Sequence, residues 1–215
     1  KTSRSAGRFA AIGYQWSYTD AIQALKRDIV SGLFGRPLRM RTICVWPRRK
    51  SYYERSAWAG KLVMPDGSKV HDSPANNACA HYLHNMLFLA GGEMTESALP
   101  VEVTAELYRC KEIESYDTVA IRAVTDNGAE ILLYATHSGR PETGPVFDLV
   151  FEKATVTYHA ERDPVLRLHG HDGTIRDYGD PDATRSNRLW HTVEAVRTGT
   201  VPACPATAAL SQTLC

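Results

Sequence analysis

Hydrophobic and polar residues follow two different periods along this chain of 215 residues. Before Pro100 the apolar positions recur mainly every three or four residues, which is the spacing of an amphipathic helix. Beyond Pro100 they alternate with polar positions, which is the spacing of a half-buried strand. The pattern therefore predicts a first part that contains the longer helices and a second part built mainly of strands.

The first part opens with two predicted strands and a helix between them. Arg8–Trp16 is expected to form a short strand, and Thr19 or Asp20 can cap the following helix by accepting from the free amides of its first turn. Pro37 opens the second strand, Leu38–Trp46. The inward helix positions are Ile22, Leu25 and Ile29, with stops at Gly32 and Gly35, and the strand places Met40, Thr42, Cys44 and Trp46 on one side.

Residues 47–75 are irregular and carry many aromatic and guanidinium groups. Long loops inside compact domains tend to be functional, so this one is a candidate for binding. Asn76–Ala90 then predicts the strongest helix of the chain, ending at Gly91. Its apolar stripe comprises Cys79, Leu83, Met86, Leu87 and Ala90.

The second part predicts a meander of short strands and a last helix. Turn signals such as Asp126-Asn127-Gly128 join successive strands and favour antiparallel neighbours. Arg185–Thr198 predicts an amphipathic helix that ends at Gly199. The predicted strands are Val101–Cys110, Thr118–Thr125, Glu130–His137, Phe147–Phe151, Thr155–His159 and Val165–His169, and the inward helix positions are Leu189, Val193 and Val196. We therefore expect one α+β domain over residues 1–215, a largely antiparallel sheet with helices packed on one face.

Composition narrows the classes of function. The chain has 25 Lys and Arg against 24 Asp and Glu, whereas nucleic-acid binders normally show a basic excess. No apolar run approaches the ~20 residues of a membrane span, and the residues after Lys1 do not resemble a signal peptide. We expect neither a nucleic-acid partner nor a membrane partner.

The five cysteines are scattered and form no Cys-x-x-Cys pair. Single cysteines of this kind suit a reducing compartment, so the cytoplasm is the expected location. They are Cys44, Cys79, Cys110, Cys204 and Cys215.

Nucleotide-binding and nucleophile motifs are missing from the chain. It contains no Gly-x-Gly-x-x-Gly, no P-loop and no Gly-x-Ser-x-Gly. We therefore expect no Rossmann domain and no cofactor-binding residues within these 215 residues.

Histidines stand on the predicted helix Asn76–Ala90. His81 and His84 can be ordinary core or surface residues, or they can act on a ligand. A metal-dependent hydrolase would use them together with His71 and Asp72, but the spacing fixes no third ligand, and we expect no metal.

Several segments, in their order, resemble the substrate domain of the glucose–fructose oxidoreductase / inositol dehydrogenase (Gfo/Idh/MocA) family. In that family a helix begins with Asp-x-x-x-His and ends in a Leu-x-Gly-like stop. The segments are HDSPANNACAHYLHNMLFLAG at 71–91, AIGYQ at 11–15, LK at 25–26, SGLFGRP at 31–37 and VEAVRTG at 193–199. The resemblance covers essentially the whole chain.

The resemblance implies the C-terminal domain of a two-domain enzyme, with a dihydrodipicolinate-reductase-like fold. The missing N-terminal domain would hold NAD or NADP and supply the lysine of a Glu-Lys-Pro motif, which this chain lacks. By position the family histidine corresponds to His81, whose unperturbed pKa near neutrality suits proton transfer with a substrate hydroxyl. The resemblance also implies a sugar-like substrate and self-association through the sheet face.

One departure concerns the residue four positions before His81. The family's aspartate corresponds to Asn77, which can hydrogen-bond but cannot stabilise an imidazolium by charge. Asp72 is a candidate to supply the missing carboxylate and is also expected to bind the substrate. Because aromatic faces and guanidinium forks suit sugars and sugar acids, further substrate contacts are expected from Tyr14 and Gln15 and from the loop. The loop candidates are Trp46, Arg48, Tyr53, Arg55 and Trp58.

Two further classes of function remain open beside the dehydrogenase domain. One is a binding domain that has lost redox chemistry, for which Asn77 and the missing nucleotide motif speak. The other is the metal-dependent hydrolase described above.

Overall fold

The computed structural model describes residues 5–215 of the chain. A short 3-10 helix covers Gln15–Tyr18. The α-helices are α1 (Asp20–Val30), α2 (Lys50–Glu54), α3 (Ala80–Ala90), α4 (Asn187–Thr198) and α5 (Ala206–Thr213). The strands are β1 (Pro37–Val45), β2 (Pro100–Tyr108), β3 (Thr118–Thr125), β4 (Glu130–Thr136), β5 (Thr143–Phe151), β6 (Ala154–His159), β7 (Asp163–Gly170) and β8 (Ile175–Gly179).

All eight strands belong to one sheet, in the order β2-β3-β4-β1-β5-β6-β7-β8. Strands β1 and β4 run parallel, in register from Arg39 opposite Glu130 to Val45 opposite Thr136. The other neighbouring pairs are antiparallel. The first strand of the chain is thus inserted between β4 and β5, which places the carboxyl ends of two parallel strands side by side.

One face of the sheet forms the core together with the helices. Met40 of β1 is fully buried, and so are its cross-strand neighbours Ile131 and Leu149. Helix α3 contacts β1 and β4, and nine of its eleven residues are buried. The opposite face carries ion pairs between strands, such as Arg41 with Asp148. The predicted α+β architecture is therefore confirmed.

Many predicted elements agree with the structure to within a few residues. Strand β3 has the predicted bounds, and the predicted inward residues of α1 and β1 are buried except Trp46, which is half-buried just after β1. The loop 47–75 is irregular apart from α2 and one isolated bridge. Strand β8 was not predicted.

The prediction of a strand over Arg8–Trp16 is wrong. This segment makes a single bridge, between Ala11 and Pro205, and then turns into the 3-10 helix. The 3-10 helix buries Trp16, Ser17 and Tyr18 in succession, so these residues do not alternate between two faces. The predicted start of the next helix also moves, because residues 74–79 form turns and α3 begins at Ala80.

The inward face predicted for α4 is exposed. Leu189, Val193 and Val196 are 60%, 48% and 67% exposed, and only Ala195 of this helix is buried. The helix is amphipathic as predicted and ends at Gly199, whose φ is 70°. Within residues 5–215, nothing covers its apolar side.

A buried lysine caps the carboxyl end of α3. The ammonium group of Lys26, which is fully buried, donates to the carbonyl oxygens of Phe88, Gly91 and Glu96. The last carbonyls of a helix have no partner inside the helix, and a cation there also opposes the negative end of the helix dipole. Burial lowers the pKa of Lys26 to about 7, and Glu93 and Glu96 oppose this shift.

Lys26 is expected to make the free energy of unfolding depend on pH. Its folded pKa lies below the ordinary 10.5, so the unfolded chain binds more protons between about pH 7 and 10.5. Stability relative to Lys26→Met should therefore rise by roughly 2 kcal/mol from pH 7 to 9, as measured by urea denaturation at each pH. The exposed Lys153→Met is the control, and parallel profiles for wild type and Lys26→Met would contradict the expectation.

Candidate functional site

Helix α3 leaves only its second and third residues partly accessible. The rest of the helix is buried, and His81 and Tyr82 are half-buried. A helix that is enclosed on nearly every side thus presents an imidazole and a phenol near its amino end. This position makes His81 the centre of the candidate site.

The ring of Tyr14 joins His81 to a second, fully buried histidine. It meets His81 edge-on, with centroids 5.3 Å apart, and stacks on His84 at 4.0 Å. Its hydroxyl donates to Oε1 of Gln212 at 2.9 Å. Nε2 of His84 lies 3.0 Å from Oγ of Ser17. The site therefore draws on the start, the middle and the end of the chain.

The two histidines differ in what they can do chemically. Burial lowers the pKa of His84 to about 3, and repulsion from the protonated forms of His81 and Lys26 adds to this shift, so the ring of His84 is neutral and structural. Burial and the Arg188 guanidinium lower the pKa of His81 below its usual value. A neutral, partly accessible imidazole can accept a proton from a hydroxyl group. Nδ1 of His81 is buried and has no partner among residues 5–215.

Asn77 and Asp72 contact one another. The amide Nδ2 of Asn77 donates to Oδ1 of Asp72 at 2.8 Å, and the backbone N–H of Gly60 donates to Oδ2 at 2.7 Å. Asp72 is buried, so these bonds fasten the loop 47–75 to the turns before α3. No hydrogen bond recorded within residues 5–215 joins Asn77 or Asp72 to His81, and the predicted pairing of His81 with either residue therefore stays a prediction.

Tyr82 connects the region around His81 to the aromatic residues at the start of the loop 47–75. Its ring meets those of Trp16 and Trp46 at centroid distances of 5.3 and 5.4 Å. Nε1 of Trp46 donates to the carbonyl of Gly144, and Nε1 of Trp16 donates to Asp182. Both indoles are thus fixed in place.

Most of the other predicted substrate contacts lie together in the loop. Arg48 and Arg55 contact the ring of Tyr52, and Arg55 also contacts Trp58. The ring of Tyr53 lies 5.1 Å from that of Tyr52, and its hydroxyl lies 3.0 Å from Nδ1 of the buried His137. Gln15 is half-buried at the start of the 3-10 helix.

Neither a group of metal ligands nor either of the two cavities described below coincides with this site. Within residues 5–215, no three His, Cys, Asp or Glu side chains are grouped as ligands for a metal ion. A cavity of about 450 Å³ lies beside Phe34 and Leu168, and one of about 800 Å³ lies beside Tyr53 and Cys110. Neither is lined by His81. No helix of the described residues is both long and apolar enough to cross a membrane.

Sequence reasoning missed several contributors to the site. They are Trp16, Ser17, Tyr52, Tyr82, His137, Arg188 and Gln212. Tyr82 had one usable signal, since it adjoins His81 on the predicted helix. Tyr52 stands between Arg48 and Arg55 in the loop and contacts both. The others contribute through contacts between distant segments.

Comparison with known proteins shows the fold. No protein-family profile matches the chain, and no curated protein matches it in sequence. Among solved structures, UDP-N-acetylglucosamine 3-dehydrogenase GnnA from Acidithiobacillus ferrooxidans matches 99% of this chain and 60% of its own, with a TM-score of 0.71 and 15% identity. WlbA dehydrogenase from Bordetella pertussis, in complex with NADH and UDP-GlcNAcA, matches 97% and 59%, with a TM-score of 0.70 and 20% identity.

A third match is aldose-aldose oxidoreductase from Caulobacter crescentus, complexed with glycerol. It matches 98% of this chain and 61% of its own, with a TM-score of 0.70 and 16% identity. The chain thus spans about 60% of the length of the oxidoreductases it matches. At this level of identity the likeness establishes the fold, and it confirms the fold that the sequence resemblance implies.

Buried histidines give this region a measurable signature. We expect His84 to stay neutral until the pH approaches 3, and His137, whose pKa burial and Arg48 lower to about 4, to titrate slightly above it. Two-dimensional NMR of the imidazole protons against pH measures both values. Titration of either ring near pH 6.5 would show that it is accessible to water, contrary to the structure.

Proposed function

We propose that this chain is the substrate-binding and oligomerisation domain of an NAD(P)-dependent oxidoreductase that acts on a CH–OH group of a sugar, polyol or related compound. The main observation in support of this proposal is that the imidazole of His81 is partly accessible on a helix that is otherwise enclosed. The fold shared with three sugar-related oxidoreductases supports the proposal.

His81 would be the proton-transfer residue of this reaction. Oxidation of a CH–OH group releases a hydride from carbon and a proton from oxygen, and a bound nicotinamide accepts the hydride. The lowered pKa of His81 keeps its imidazole neutral near pH 7, ready to accept the hydroxyl proton. Tyr14 fixes the orientation of the ring by its edge-on contact.

The nicotinamide cofactor would be held mainly by another domain. The chain has no glycine-rich phosphate-binding loop, and this is the reason for proposing that another domain supplies the dinucleotide contacts. The exposed apolar side of α4 offers a surface for that domain, because Leu189 and Trp190 are 60% and 69% exposed and the adjacent Arg188 acts on His81. Covering this surface would place the cofactor domain next to the candidate site.

Self-association is proposed for the outer face of the sheet. Ile43 and Tyr134 are neighbours across the parallel pair, and Tyr134 is 42% exposed. Half-buried Leu132 and Val146 adjoin them. Ion pairs such as Arg122 with Glu130 flank this apolar centre, and a second copy could cover it by two-fold symmetry.

The cytoplasm is the proposed location of the protein. The cysteines within residues 5–215 are all free, which suits a reducing compartment.

A binding domain without redox chemistry is the second candidate. It is favoured by one observation, namely that the residue at the family's aspartate position is Asn77 and that its amide is committed to Asp72. Such a domain would still bind the ligand but would not catalyse its oxidation.

Replacing His81 tests the first candidate. In the full-length protein, His81→Gln should lower kcat for NAD(P)⁺ reduction by about 10²-fold or more, because general base catalysis contributes about that much, with little change in substrate affinity. The rate of nicotinamide reduction at 340 nm and substrate titration measure the two effects. The exposed His171→Gln is the control.

Wild-type turnover that survives in His81→Gln would contradict the role of His81. Absence of any turnover with a range of polyols and aldoses, with ligand binding retained, would favour the second candidate.

Charges on the outer sheet face test self-association. Ile43→Glu together with Tyr134→Glu should convert an oligomer into smaller species, because the two carboxylates would be desolvated in the interface. Light scattering after size exclusion measures the mass. Leu33→Glu, at a site that is 55% exposed elsewhere, is the control. An unchanged mass in the double variant would place the interface on another surface.

A further inference from the structure

Five side chains of the loop region form a stack of alternating rings and guanidinium groups, here called the arginine ladder. Cζ of Arg48 lies 5.4 Å from the ring centre of Trp46 and 5.1 Å from that of Tyr52. Cζ of Arg55 lies 3.7 Å from the ring of Tyr52 and 5.1 Å from that of Trp58. The ladder therefore runs Trp46, Arg48, Tyr52, Arg55, Trp58.

A contact between a guanidinium group and an aromatic ring uses none of the hydrogen-bond donors of the arginine. The five N–H donors of an arginine lie in the plane of the group, in a fork that matches two oxygens of a carboxylate or phosphate. Nε of Arg48 is buried and has no hydrogen-bond partner within the described chain. Arg55 is exposed at the other end of the ladder. The ladder therefore holds two guanidinium groups in place, and their N–H donors remain available for a ligand.

The two arginines also lack a counter-ion. Among residues 5–215, no carboxylate lies within ion-pairing distance of Arg48 or Arg55, whereas six other arginines are paired. The nearby Asp117 accepts from the backbone amides of Cys110 and Lys111, so it is committed elsewhere. The charge acts on a neighbouring group, because Arg48, Lys111 and Arg55 lower the pKa of His137 in addition to burial, and Asp117 opposes them.

The ladder is connected to the helix that carries the candidate proton-transfer residue. It begins where the parallel strands β1 and β4 end, since the backbone N–H of Arg48 donates to the carbonyl of His137. The ring of Trp46 also contacts that of Tyr82, the neighbour of His81 in sequence. The first ring of the ladder is thus packed against helix α3.

We propose that the arginine ladder binds an oxyanion, a carboxylate or phosphoryl group, carried by the substrate. The proposal deepens the proposed function and rests on it for the statement that the ligand is a substrate. It disfavours a neutral sugar stacked on the central ring of Tyr52, because both arginines already lie over that ring.

Direct binding tests the ladder without any redox reaction. The full-length protein is titrated by calorimetry with glucuronate, glucose 6-phosphate and neutral methyl glucoside. We expect an anion to bind more tightly than methyl glucoside, and R48Q/R55Q to weaken that anion at least about tenfold, since charged hydrogen bonds are lost. R48K/R55K should recover only part of the affinity, because lysine keeps the charge without the fork.

The control is R36Q, because Arg36 is exposed at the opposite end of β1 and pairs with Glu152. R55Q alone, at an exposed position, keeps the test valid if the double variant does not fold. Preference for glucuronate identifies a carboxylate source, and preference for glucose 6-phosphate identifies a phosphoryl source. Equal affinities of wild type and R48Q/R55Q for both anions, or tighter binding of methyl glucoside, would overturn the proposal.

Failure of this proposal is distinguishable from failure of the proposed function. Anion binding that depends on the ladder, without nicotinamide reduction, supports the oxyanion site and removes the redox role. Reduction with neutral polyols, without anion binding, does the reverse.

Discussion

The enclosure of helix α3 is the constraint on which the rest of the structure depends. Leu83, Met86, Leu87, Phe88 and Leu89 are all fully buried, so the helix has no solvent-facing side along most of its length. A helix that is apolar all round must be covered all round. The sheet covers one side through β1 and β4, and α5 contacts it from another. Polar groups that the helix carries into this interior need partners, and the last carbonyls and His84 find them on neighbouring elements. The buried side-chain amide of Asn85 has no hydrogen-bond partner within residues 5–215.

The two ends of α3 meet that requirement differently. At the carboxyl end, the ammonium of Lys26 donates to the carbonyl oxygens that the helix leaves unpaired, which ties α1 to α3. Near the amino end, His84 is held by Ser17 and stacked on Tyr14. Fixing His84 in this way also fixes the surroundings of His81, one turn away. The same packing that stabilises the core therefore positions the only imidazole on this helix that a ligand can reach.

Around this rigid centre, three surfaces have no partner within residues 5–215. The apolar side of α4 is exposed, the outer face of the sheet has an apolar centre around Tyr134, and the arginine ladder has no counter-ion in this part of the chain. Each differs in chemistry, and each therefore suits a different partner. An apolar helix face suits another domain, a self-complementary sheet face suits a second copy, and paired guanidinium forks suit an oxyanion.

The sequence alone determined what depends on local periodicity. Three features follow from the spacing of apolar residues among neighbouring positions. They are the bounds of β3, the burial of Ile22 and Leu25, and the presence of a helix before Gly91. Tertiary structure decided what depends on distant pairing. Amphipathicity showed that one side of α4 is apolar, but not whether this chain covers it. The contact of Tyr14 with Gln212 joins residues that are 198 positions apart, and no local pattern encodes such a contact.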